Sequence, residues 1–183
     1  MNEEKIKKGA KVLAFRICKG ALYNAKEFMN KYQELILKEK KKITNEEINN
    51  LYCQFALLFY HITDRISMGI LRPEKRNKFM MKLWFYLWTD HIILPEFSKD
   101  ELKEYQEETK NMYDLFIDKY SKCEELIRSF EEGLGNTLLF EFSRDITKFT
   151  EYPDDIAGVM LCHSLIVDTL GTINIREILD IIK

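Results

Sequence analysis

Only 7 glycines and 3 prolines punctuate this chain of 183 residues. A sheet needs a tight turn every few residues and relies on those two residue types to make it. Their scarcity leaves little beyond long helices joined by short connections. With 46% hydrophobic and 32% charged residues, the chain can bury a sizeable core without disulfide or metal staples. The expectation is an all-α fold, a bundle of about six helices in one domain over residues 1–183.

Apolar spacing sets out the elements. Over residues 2–41, Ile6, Ala10, Leu13, Ile17, Ala21, Ala25 and Phe28 recur one helical turn apart. Ala10, Ala14, Cys18, Ala21 and Ala25 make that face small enough for a close neighbour, while Gly9 and Gly20 are expected to weaken or bend it. Thr44 and Glu47 have capping-box spacing at the start of a second helix, 44–71, which Arg72-Pro73 interrupts. Pro73 suits the first turn of a third helix, 74–93, closed by Pro95. Ser98 with Glu101 opens an acidic fourth helix reaching Phe130, and a turn over Gly133, Gly135 and Asn136 leads to a fifth at 137–150. The sixth, 154–170, opened by Pro153-Asp-Asp155, is apolar almost all round and is expected to form the centre of the bundle together with the second. Gly171 is expected to end it, and Asn174 to cap a short last helix, 175–182.

Net charge is −2, but residues 1–42 carry +7, residues 43–95 +1 and residues 96–183 −10. A chain so divided is expected to complement itself, within one molecule or across a dimer. The four lysines of residues 38–42 suit the negative end of a helix dipole. No apolar run is expected to approach the ~18 residues of a membrane span and the N-terminus reaches no signal-peptide core, so a cytoplasmic protein without membrane contact is expected. Cys18, Cys53, Cys123 and Cys162 are far apart, lack zinc-site spacing and read as reduced core thiols.

Chemistry concentrates in the second helix. His61, Asp64 and Arg65, at i, i+3 and i+4, share one face with Gln54 and Met68 inside the most apolar stretch of the chain. A charged group there is costly unless paired, so the segment either exposes a polar stripe, which could serve an interface, or buries a satisfied network. One reading is a structural ion pair, in which an arginine or histidine of another helix meets Asp64 and locks the packing. The other is a ligand pocket lined by these five residues, with Arg65 holding an anion and His61 transferring a proton.

The three histidines, His61, His91 and His163, each have an aspartate nearby, and a bundle core can bring such groups onto a metal. Only His61 and Asp64 share a face, and neither Glu-x-x-His nor His-Glu-x-x-His occurs. No cofactor is expected, metal and a lone axial haem histidine being the alternatives considered. Arg72, Lys75, Arg76, Lys78 and Lys82 form a basic patch suited to phosphate, with aromatic residues downstream on which bases could stack. A pI of about 6.0 argues against bulk nucleic-acid affinity. No nucleophile motif is present, and Cys162 and His163, being adjacent on a helix, face different directions. The sequence therefore favours a non-catalytic binding protein that forms a homodimer. The rival is a small-molecule or metal-dependent enzyme built on His61, Asp64 and Arg65, and the third option is anion or nucleic-acid binding through the basic patch.

Overall fold

The structure is a computed structural model in which residues 3–34, 44–89, 99–126, 135–150 and 155–183 are described. They form an all-α bundle: α1 Glu3–Tyr32, α2 Asn45–Ile70, α3 Pro73–Thr89, α4 Lys99–Tyr120, α5 Leu138–Thr147, α6 Ile156–Ile173 and α7 Ile175–Ile182. Among the described residues there is no strand, and one isolated bridge, Glu125 to Thr137, ties the start of α5 to the segment after α4. The lysines at 38–42, Asp90 and His91, Pro95, the Ser98 cap, Phe130, Gly133 and Pro153 lie outside the described residues.

Local signals act as their chemistry dictates. The Thr44 hydroxyl accepts from the Glu47 amide at 3.2 Å, and the Glu47 carboxylate accepts from the Thr44 amide at 2.8 Å, closing the capping box of α2. Pro73 is the first residue of α3. The Asp155 carboxylate accepts from the Gly158 amide at 2.8 Å and caps α6.

Three expectations need correction, and a fourth, the end of the first helix, is only partly described. The α-helical part of α1 runs to Tyr32, whose hydroxyl accepts a bond from Thr150 at 3.0 Å, and gives way to a π turn at Gln33 and Glu34, the expected remainder up to residue 41 lying outside the described residues. Helix α4 stops at Tyr120 rather than Phe130, because a turn at Ser121 and Lys122 frees the Cys123 and Glu124 carbonyls for other partners. Helix α6 runs past Gly171 to Ile173, and Asn174 adopts the left-handed conformation (φ 51°) that stops it. Finally, the central helix is α1, which packs against α2, α3, α6 and α7.

The reason is the small face of α1. A Cβ on Gly20 would stand 2.6 Å from Thr169 Cγ2 of α6, and one on Gly9 would stand 3.4 Å from Ile178 of α7, so both glycines are close-approach points within an unbroken helix. Helix α6, by contrast, buries one side, including Val159, Cys162, Leu165 and Ile166, against α1 and α5. Its other side keeps Ile156 and Val167 exposed. The segment Ile156–Ile182 is long and apolar enough, with a mean hydropathy of 1.7, to cross a membrane by length and composition alone. This corrects the expectation that no apolar run approaches such a length: His163 and Asp168 break the run, and the average absorbs them. In this fold Asn174 divides the segment into α6 and α7, and 39% of its most apolar 18-residue window is buried.

Candidate functional site

Helix α2 lies between α3 and α4 and distributes its polar stripe to both. Asp64 turns to α3, where Arg76 donates from Nε to Oδ1 at 2.9 Å and from Nη2 to Oδ2 at 2.6 Å. Both side chains are largely buried, and the two parallel bonds make this the strongest polar contact between the two helices. Arg65 turns the other way and donates to the Cys123 and Glu124 carbonyls, which the end of α4 leaves without helical partners.

His61 is buried, with its ring edge-on to Phe116 of α4 at 5.6 Å between centroids. Neither ring nitrogen has a hydrogen-bond partner among the described residues. Burial, reinforced by the Arg65 charge and opposed by Asp64, pushes its pKa from 6.5 down to about 4. The imidazole is therefore neutral near pH 7. The three residues that share a helical face thus address three different partners, and they do not converge on one concave site. Met68 is exposed at the far end of the stripe, and Gln54 borders a separate concavity between α2, α4 and α5.

His163 lies on α6, half-buried, and its Nε2 is unpartnered among the described residues; burial lowers its pKa. Among the described residues no group of three His, Cys, Asp or Glu side chains could hold a metal. The four cysteines are free, and burial pushes the Cys18 thiol up to about 11 and the Cys162 thiol up to about 12, which leaves both protonated.

The basic patch is engaged within the chain. Lys75 donates to the Ile182 and Lys183 carbonyls at 2.9 and 2.7 Å and so caps α7. Arg76 serves Asp64, Lys78 meets Glu74 at 2.9 Å and Lys82 meets Glu3 at 3.5 Å. Arg72 is exposed and borders a concavity with Lys75 and Lys183. The charge divide along the sequence is thereby partly closed in space, and the Arg16 to Glu177 pair at 3.2 Å between α1 and α7 closes it further.

Two features escape a reading by motif. One is Asp145 on α5, which accepts from the Tyr120 hydroxyl at 2.6 Å and meets Lys119 at 2.8 Å and Lys148 at 2.6 Å. Burial alone would raise its pKa, but bonds from Lys119, Lys148 and Tyr120 together hold it below the usual carboxylate value. Lys148 at i+3 was a visible signal; Lys119 and Tyr120, some 25 residues earlier, were not. The other is a groove of about 510 Å³ between α1 and α6. Phe15, Lys19 and Tyr23 line it at i, i+4 and i+8 on α1, and Asp168 faces them from α6. Phe15 and Tyr23 are 55% and 50% exposed, so the groove carries apolar area on its outer side. Lys19 and Asp168 have no ion-pair partner among the described residues.

The chain matches no protein-family model, no curated protein sequence and no solved structure.

Proposed function

We propose that the protein acts by binding rather than by catalysis, and that it self-associates as a homodimer through the face shared by α1 and α6. The observation that carries this reading is the α1–α6 groove, which pairs exposed apolar side chains with one cation and one anion that have no ion-pair partner among the described residues. Phe15 and Tyr23 supply the aromatic area, and Val167 of α6 extends it at 40% exposure.

A two-fold interface brings a patch against itself, so every charge on it must find its opposite on the same patch. Lys19 and Asp168 meet that condition: Lys19 of each copy would face Asp168 of the other. Helix α6 supports the same reading, being the most apolar large helix in the sequence while burying only one side. The engagement of His61, Asp64 and Arg65 with three separate partners favours binding over an acid–base site on α2.

A charge swap tests the reading. Lys19→Glu should reduce the dimer fraction in native mass spectrometry by bringing two anions together at each contact. Combining it with Asp168→Lys should restore the dimer. Masses that ignore both substitutions would refute this interface.

A further inference from the structure

We propose that the concavity between α2, α4 and α5 binds a medium-chain organic carboxylate, with its anionic end at Lys119 and Lys148 and its apolar body on the aromatic wall. The site encloses about 300 Å³, at the lower end of small-molecule pockets. Its wall is apolar: Met112 and Phe116 of α4 face Phe142 and Ile146 of α5. Its rim leaves Leu115 71% and Phe149 52% exposed, so apolar area is in place and uncovered.

The polar groups gather at one side. Lys119 and Lys148 both contact the single carboxylate of Asp145, one on each oxygen, and Tyr120 donates to the same group. Two ammonium groups against one carboxylate leave a surplus of one positive charge among the described residues of the site. The neighbouring Glu141 is matched by Arg144 at 2.7 Å and does not cancel it. Each lysine side chain is about half exposed, so N–H groups remain available to an incoming anion. A compact inorganic anion would leave Leu115 and Phe149 wet, and a neutral apolar molecule would leave the surplus charge unmatched. An amphipathic monoanion satisfies both, and Gln54 adds an amide at the α2 side of the site.

The site shares no residue with the α1–α6 groove, so it stands or falls apart from self-association. Octanoate titrated into the isotope-labelled full chain is the test, with octanol as the uncharged counterpart. Saturable NMR shifts should map to Leu115, Phe116, Lys119 and Lys148, and octanol should bind about tenfold more weakly, as expected when a charge-assisted bond is lost. Lys119→Met with Lys148→Met should bring octanoate down to the level of octanol. Leu115→Asp, at a position too exposed to disturb folding, should also weaken it by placing an anion at the rim. Absence of saturable shifts, shifts that map elsewhere, or equal affinity for octanol and octanoate would overturn the proposal.

Discussion

Replacing His61 by leucine should change how stability depends on pH, and the structure sets both sign and size. In the unfolded chain the imidazole titrates near 6.5, whereas burial against Phe116 and the Arg65 charge hold it at about 4 in the folded protein. Above pH 6.5 the ring is neutral in both states and costs nothing by linkage. As pH falls from 6.5 toward 4 the unfolded state takes up a proton that the folded state refuses, so stability declines, and it levels off once both states are protonated.

At pH 5 nearly every unfolded imidazole is protonated against about a tenth of the folded ones, a difference of about 2 kcal/mol. That corresponds to about 4–8 °C in Tm for a chain of this length. His61→Leu removes this term. It also removes two buried nitrogens that have no hydrogen-bond partner among the described residues, so the variant should be at least as stable as the parent at pH 8. Urea unfolding of both proteins at pH 8 and pH 5 measures the double difference, in which His163, also lowered by burial, and the carboxylates cancel. Identical pH dependence in the two proteins would refute a buried neutral His61. A large loss of stability at pH 8 would mean that the ring makes a bond the structure does not contain.

The helix contacts make further predictions. Gly20→Ala should destabilise by about 1–2 kcal/mol despite alanine's better helix propensity, because the new methyl meets Thr169, which is held by its 2.6 Å bond to Asn24. Gly171→Ala, with open space around it, should stabilise by about 0.5–1 kcal/mol; thermal melts that rank the two the other way would contradict the close α1–α6 contact. A double-mutant cycle on Asp64→Ala and Arg76→Ala should give about 1–2 kcal/mol of coupling, as suits a partly buried bidentate pair. A coupling near zero would show that the pair does not join α2 to α3.

Local chemistry in the sequence was a good guide to where helices begin. Thr44 with Glu47, Pro73 and Asp155 act within a few residues of themselves, and spacing alone reveals them. Helix ends were harder. Asn174 rather than Gly171 stops α6, because an exposed glycine within a helix is tolerated and the chain turns where the next apolar stripe, Ile175, Ile178 and Ile182, has to rotate onto α1. The centre of the bundle was misjudged for a related reason. High hydropathy marked α6, but closeness of approach decides centrality, and the alanines and glycines of α1 allow that closeness.

At the candidate site the sequence could place His61, Asp64 and Arg65 on one face, and from that face it could offer Asp64 a partner without naming it. Arg76 lay in the supposed anion patch, 12 residues away. The Lys119, Tyr120, Asp145 and Lys148 cluster was hidden because its members come from two different helices and the segment just after one of them, and packing alone unites them. The α1–α6 groove was hidden likewise: Phe15 and Tyr23 fall off the apolar stripe of α1, but only the fold reveals that α6 brings Asp168 to face them.

Self-association through that outward face is the central claim, and sedimentation velocity of the full chain over a wide concentration range tests it most directly. The account predicts a species of twice the chain mass that gives way to monomer when Phe15 or Val167 is replaced by glutamate, with thermal melts showing that the variants remain folded. A parent protein that sediments as a monomer at every concentration would contradict it.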